Sequence, residues 1–130
     1  IIAAAGGSGL APIKSILNTA LNKGAKQKIT FYFGVRTALD LYFEEDLNQL
    51  AKFHSNFTFI PVISDPPSKT QYRTGLLSDA IAEDFSVVEN HKAYIAGPPI
   101  MVKSVVERLK DLGIQGSDCH ADAFYTEAEK

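Results

Sequence analysis

Cysteine is almost missing from this sequence: one residue in 130, Cys119. A lone thiol closes no internal disulfide and falls short of the four thiolates of an ordinary iron-sulfur cluster, so any such centre has to lie elsewhere. Nor is there an excess of positive charge. Lys plus Arg number 13 against 15 Asp plus Glu, for a net charge of -2. The basic residues are scattered, which argues against a nucleic-acid partner. No apolar stretch approaches the roughly 20 residues that a membrane helix needs, so no membrane insertion is expected. The opening "IIAAAGG" has no basic region before it and does not read as a signal peptide. These absences lead to the expectation of a cytoplasmic chain.

What is present suits one compact domain over residues 1–130: 45% hydrophobic content, with no low-complexity run and no internal repeat. The first residue is not methionine, and Ile1 to Ala5 already read as the end of a buried strand. The expectation is a piece of something longer.

Apolar runs alternate with segments of helical period. Strands are expected at Ile1 to Ala5, Lys28 to Gly34, Phe57 to Ile63, Lys92 to Ala96 and, more weakly patterned, Asp118 to Ala121. Between them, "PIKSILNTALNK" puts Ile13, Ile16, Leu17, Ala20 and Leu21 on one face and stops at Gly24. "TALDLYFEEDLNQLAKF" opens with Thr37 and Asp40 at capping-box-like spacing and repeats Leu39, Tyr42, Phe43, Leu47 and Leu50. "GLLSDAIAEDF" and "PIMVKSVVERLKDLG" supply two further helices, the second ended by Gly113. Strict alternation of strand and helix is the pattern of a doubly wound α/β fold, because each parallel connection needs a crossover. A five-stranded parallel sheet of order 3-2-1-4-5, with helices on both faces, is therefore expected.

In such a sheet ligands sit beyond the carboxyl ends of the strands, where the winding reverses. Here that crevice would lie between strands 1 and 4, built from "GGSGLAP" and "AGPPIM". Glycines at a strand-to-helix turn permit positive φ and let a ligand approach the main chain, while the free amides of the next helix favour an anion. Pyrophosphate is the natural candidate. Glycines there also serve tight helix-on-strand packing in folds that bind nothing. Two better-known fingerprints fail. In Gly7-Ser8-Gly9-Leu10-Ala11-Pro12 a proline occupies the third glycine position of G-x-G-x-x-G, and strand 2 leads to Arg36 rather than to a ribose-binding acid. Lys14-Ser15 resembles the end of a P-loop, but Ile13 stands where that motif requires glycine.

Taken as a set, "GGSGLAP", "FGVRTALDLYFEEDL", "AGPPIMVKSVVERL" and "HADAFY" resemble, in order and spacing, the pyridine-nucleotide-binding domain of the ferredoxin-NADP reductase superfamily. The likeness is greatest to reductase components of bacterial aromatic-ring dioxygenases and related monooxygenases, and it covers essentially the whole chain. It implies that Gly6, Gly7, Ser8, Gly9, Leu10, Ala11 and Pro12 face the pyrophosphate and nicotinamide end of the dinucleotide. Gly97, Pro98 and Pro99, with Met101 behind them, would form the opposite wall. Relatives commonly have cysteine before Gly-Pro-Pro, near the hydride transfer, where this chain has Ala96. An aromatic residue after the last strand often shields the flavin ring, a role that falls to Phe124.

The segment after strand 3 bears on the choice of cofactor. Phosphate-selecting relatives place a serine and basic residues there, whereas this chain reads Ser64-Asp65-Pro66-Pro67. A carboxylate repels a 2'-phosphate and can accept hydrogen bonds from ribose hydroxyls, which favours NADH over NADPH. Arg36 pulls the other way, or serves the pyrophosphate. Asp65 is also an ordinary turn residue before two prolines. Strand periodicity turns Cys119 away from His120 and Asp122, so no metal site is expected. His54 and His91 are expected at the surface, and Glu44 to Asp46 on a solvated helix face.

The resemblance thus implies an NADH-binding domain of a flavin-dependent electron-transfer reductase. FAD would be held by another domain of the same polypeptide, a [2Fe-2S] centre would lie elsewhere in the full protein, and a ferredoxin or oxygenase component would accept the electrons. By itself the chain would bind nucleotide weakly and turn over nothing. A nucleotide- or phosphometabolite-binding module without redox chemistry is the alternative. A flavodoxin-like carrier fits less well, because the phosphate loop lacks Ser/Thr-rich character.

Overall fold

The run Ile2–Gly6 is buried along its whole length, and only a central strand covered on both faces accommodates that pattern. In the computed structural model, which describes residues 1–7, 10–37, 41, 44–64 and 72–123, this strand is β1. It pairs in parallel with β2 (Ile29–Val35) on one side and with β5 (Ala93–Gly97) on the other. Its residues Ala3, Ala4 and Ala5 are small because helices press on it from above and below.

The remaining strands are β3 (Phe57–Ile63), β4 (Arg73–Thr74) and β6 (Cys119–Ala123), and the helices are α1 (Leu10–Asn22), α2 (Glu44–Phe53), α3 (Leu77–Asp84) and α4 (Pro99–Asp111). The sheet has six strands in the order β4-β3-β2-β1-β5-β6. This corrects the expected five-stranded 3-2-1-4-5 arrangement. The unforeseen strand, β4, holds only two residues, both polar, beside Val62 and Ile63 at the sheet's edge. So short a polar pair carries no alternation to read.

Odd and even strand positions build two cores. On one face Ala3, Ala5, Phe31, Phe33 and Ala96 meet Leu10, Ile13, Leu17 and Leu21 of α1 and Leu47 of α2. On the other, Ile2, Ala4, Tyr32, Val62 and Ile95 meet Leu77 and Ile81 of α3 and Val102, Val105 and Leu109 of α4. Each fully buried aliphatic side chain contributes roughly 1.5–3 kcal/mol. Two expected features differ. Ile16 is 40% exposed, because α1 reaches past β5 toward β6, whose face on that side no helix covers among the described residues. The second helix starts at Glu44 rather than at Thr37, which lies in a bend, and Leu41 is not helical. Glu44, Glu45 and Asp46 occupy its first turn, where the helix dipole favours acids. They are not merely solvated: Glu44 accepts a hydrogen bond from the Tyr72 hydroxyl at 3.0 Å, and Asp46 lies 3.6 Å from the Lys14 ammonium. The remaining residues of that expected helix start, including Leu39, Asp40, Tyr42 and Phe43, lie outside the described residues.

A polar cluster joins three elements. The Tyr32 hydroxyl donates to Asp84 Oδ2 at 2.6 Å, and Arg73 Nη1 donates to the same oxygen at 2.6 Å. The Arg73 bond, foremost, holds the Asp84 carboxyl below its ordinary range, against the opposing effect of burial, and the Tyr32 bond adds to it. Burial first and the bond to Asp84 second push the Tyr32 phenol far above its usual range, so it stays a donor. A carboxyl whose folded pKa is depressed stabilises the fold fully above its unfolded pKa, and that stability is lost as pH falls through the folded value. The melting temperature should therefore fall as pH goes below about 4, with Asp84 accounting for a few degrees of the fall. Asp84→Asn should cost about 1 kcal/mol or less at neutral pH and give a shallower acid limb. An acid limb identical to that of the unchanged chain would show that Asp84 is not bound in this way.

Candidate functional site

At the carboxyl ends of β1, β2 and β5 the chain places glycines side by side. Gly6 pairs with Gly34, and Gly97 follows Ala96, the partner of Ala5. All three lie on the α3/α4 face. A Cβ added at Gly97 would come within 2.8 Å of Met101 Sδ and 2.9 Å of the Gly6 carbonyl oxygen, and one at Gly34 within 2.9 Å of Leu77 Cγ. Side chains are excluded from the strand ends because α3 and α4 are seated against them. Gly7, at φ 54, takes the left-handed turn that leads toward α1.

Above this floor opens a cleft of about 430 Å³. Gly6, Gly7, Pro98 and Met101 form one wall; Gly75, Leu76 and Leu77 form the other; Gly34, Val35, Val62, Arg36 and Ser64 lie between. It runs along the carboxyl ends of β1, β2 and β3 and at its Pro98 end reaches the point between β1 and β5 where the winding reverses, the edge at which open α/β sheets take their ligands. Arg36 is the one charged residue among the described lining residues. The Ser64 amide donates to the Val35 carbonyl at 2.9 Å, joining the ends of β2 and β3. Helices α1 and α4 begin on this edge with no acidic residue in their first turns, and α4 has no side-chain cap; a helix start of this kind favours an anion. Pro98 and Pro99 open α4 without amides of their own, and the Val102 amide donates to the Pro98 carbonyl at 3.0 Å. A floor without side chains, one guanidinium and apolar walls are a donor set that fits a dinucleotide rather than a metal. No group of three or more His, Cys, Asp or Glu able to hold a metal ion occurs among the described residues.

The profile of the oxidoreductase NAD-binding domain matches residues 4–107. The chain belongs to this family. As an NAD(P)-binding domain of the ferredoxin-NADP reductase superfamily, it is 42% identical over 120 residues to the ferredoxin–NAD(P)(+) reductase component of the naphthalene 1,2-dioxygenase system of Pseudomonas putida, covering 92% of this chain and 37% of that one. It is 36% identical over 128 residues to one polypeptide of the Na(+)-translocating NADH-quinone reductase of Serratia proteamaculans, covering 92% and 31%. Among solved structures, the cytochrome P450 reductase GcoB of Amycolatopsis superposes with a TM-score of 0.89 at 35% identity, over 95% of this chain and 37% of that one. The chain thus spans about a third of the length of these three relatives.

Within this NAD-binding domain the expected site residues fall into several groups. Gly6, Gly7, Arg36, Ser64, Pro98 and Met101 line the cleft together, whereas Gly97 does not line it and is buried beside Gly6, next to Met101. Pro12 and Ala96 line instead a smaller depression of about 150 Å³ on the α1 side, with Ile13, Ile16, Tyr94 and His120. Leu10 is buried in the α1 core, Ala11 is exposed, and Pro99 is half-buried at the start of α4. Ser8, Gly9, Asp65 and Phe124 lie outside the described residues. His91 departs from the surface position expected of it. Its ring meets Phe85 edge-on at 5.4 Å, its Nδ1 is buried without a partner, and burial pushes its pKa down.

The sequence reading did not assign Gly34, Val35, Val62, Gly75, Leu76 and Leu77 to the site. A signal existed for two of them: Gly34 ends a strand in "FGVR", and Gly75 opens a helix in "RTGLL". The others are ordinary apolar residues whose sequence does not separate core from cleft.

The packed glycine floor makes a specific demand. Gly97→Ala should destabilise the domain by roughly 1–3 kcal/mol. Adding Met101→Ala should not restore it, because the Gly6 carbonyl would still be in the way. Gly116→Ala, where nothing lies within 4 Å, should leave the melting temperature nearly unchanged. Equal melting temperatures for Gly97→Ala and Gly116→Ala would show that the strand ends are not packed as described.

Proposed function

We propose that this chain is the NADH-binding domain of a larger flavin-dependent electron-transfer reductase. It would hold the dinucleotide with its nicotinamide turned toward a flavin carried by another domain. The observation that carries the reading is the glycine-floored cleft along the carboxyl ends of the strands, which reaches the switch point at one end and has Arg36 as its guanidinium. The hydride chemistry belongs to the cofactors, and this domain contributes orientation.

In this reading Gly6, Gly7 and the start of α1 meet the pyrophosphate. Pro98 and Met101 bound the nicotinamide half, and the Gly75–Leu77 wall with Val62 and Ser64 bounds the adenosine half. Similarity to a dioxygenase reductase component supports a ferredoxin or oxygenase component as the eventual electron acceptor. The span of about a third of the relatives' length supports a flavin domain, and an iron-sulfur centre, on parts of the protein beyond these residues. The preference for NADH rests on Asp65, which follows Ser64 at the end of β3. A carboxylate there would repel a 2'-phosphate and accept from ribose hydroxyls. Ala96 and Phe124 are the proposed neighbours of the hydride transfer, Ala96 from the small depression beside α1.

Calorimetric titration of the chain with NADH, NADPH and FAD tests this. NADH should bind more tightly than NADPH by about tenfold, equivalent to about 1.4 kcal/mol. Asp65→Arg should reduce or invert that ratio, and FAD should not bind. Equal affinity for NADH and NADPH, unchanged in the variant, would remove Asp65 from the account. Binding of neither nucleotide, with the flavin domain attached as well as without it, would overturn the reading.

A further inference from the structure

One wall of the cleft hangs on very little backbone. β4 contributes two residues to the sheet's edge, and beyond them the Gly75 amide donates to the Ile63 carbonyl at 3.0 Å. Two ladder positions do not hold a strand in place by themselves. Yet Gly75, Leu76 and Leu77, which follow immediately, form the whole of that wall among the described residues. Something else must fix them.

Arg73 does so by reaching back along α3. Its guanidinium donates from Nη1 to Asp84 Oδ2 at 2.6 Å, and from Nη2 to Glu83 Oε2 at 2.7 Å and to the Ala80 carbonyl at 3.0 Å. The fork thus grips the far half of the helix whose near end is the wall. Asp84 is anchored in turn by the hydroxyl of Tyr32, whose ring is fully buried in β2. At the cleft end Leu77 rests on the bare backbone of Gly34, also in β2. α3 is therefore held at both ends to the same strand, by apolar contact near the cleft and by a shared carboxylate away from it. Planar, multiply bonded guanidinium contacts fix orientation as well as distance.

We propose that Arg73 is a positioning residue for the nucleotide: through Asp84 and Tyr32 it sets the angle of α3, and so the separation of the Leu76–Leu77 wall from the Gly6–Pro98 wall. This rests on the nucleotide reading of the cleft. Arg73 does not line the cleft itself, so its effect on the ligand is indirect.

The test compares Arg73→Met, Arg73→Lys and Asn56→Ala with the unchanged chain. Asn56 is the control, because its amide donates to the Ala25 and Gln27 carbonyls before β2, at the end of the strands away from the cleft, both at 2.9 Å. Binding of ADP-ribose and hydrogen exchange at residues 75–80 are measured under conditions where each variant is folded. Arg73→Met should weaken ADP-ribose binding about tenfold and speed exchange at residues 75–80 by a similar factor, with β1 still protected. Arg73→Lys, which keeps one ion pair but loses the fork, should fall between. Asn56→Ala should lower the melting temperature without changing affinity. If the unchanged chain binds ADP-ribose and Arg73→Met binds it equally well, the positioning role is overturned while the nucleotide reading stands. The role also falls if affinity declines in Asn56→Ala as much as in Arg73→Met. If the unchanged chain alone binds no ADP-ribose, the comparison is made with the flavin domain attached, and absence of binding there as well overturns the nucleotide reading. Faster exchange confined to residues 75–80 in Arg73→Met would then still show that Arg73 holds the wall.

Discussion

Close contact at the ends of three neighbouring strands governs this molecule. Gly6, Gly34 and Gly97 bring bare backbone to one level of the sheet, and Leu77 of α3 and Met101 of α4 settle into the space that side chains would have taken. The consequence is double. The helices can approach the sheet closely enough to close the second core, and the strand ends stay open for a ligand to reach the main chain. A fold that filled these positions would lose both the packing and the cleft. The small residues Ala3, Ala4, Ala5 and Gly6 of β1 follow from the same constraint one layer further in, since the strand lies between two helical layers.

The two walls of the cleft are made differently. The Gly6–Pro98 wall sits on central strands and on a helix start stiffened by two prolines, where the backbone has little freedom. The Gly75–Leu77 wall hangs from the edge of the sheet and depends on side chains: Tyr72 reaching Glu44 on one face, and Arg73 reaching Asp84 on the other. A rigid wall beside one held by polar contacts suits a ligand whose two halves need different treatment. In the proposed reading the nicotinamide half must be aimed, whereas the adenosine half must mainly be gripped.

Much of this was legible in the sequence because backbone constraints are written in glycine and proline. The turn at Gly6 and Gly7 and the Gly97-Pro98-Pro99 stretch declare themselves, and the alternation of apolar strands with helical periods gives a parallel α/β sheet. The edge strand was not legible: Arg73 and Thr74 have no alternating pattern, and what holds them is a carboxylate eleven residues away on the next helix. Nor were Leu76, Leu77 and Val62, because a leucine or valine reads the same in a core as on a wall. The role of Gly34 becomes visible only once Leu77 is seen above it. The expected helix start at Thr37 misled for a related reason, since its spacing matched a cap while the acids that suit a helix dipole lie at Glu44 to Asp46.

The central claim is that the dinucleotide lies along the carboxyl ends of the strands, above the three glycines. Backbone amide shifts of the labelled chain, followed by NMR as ADP-ribose is added, test it most directly. The account predicts the largest changes at Gly6, Gly7, Gly34, Arg36, Ser64 and Gly75, and none at Ala25, Asn56 and His91 at the other end of the strands. Saturable changes centred on that opposite end, with the glycines unmoved, would contradict it.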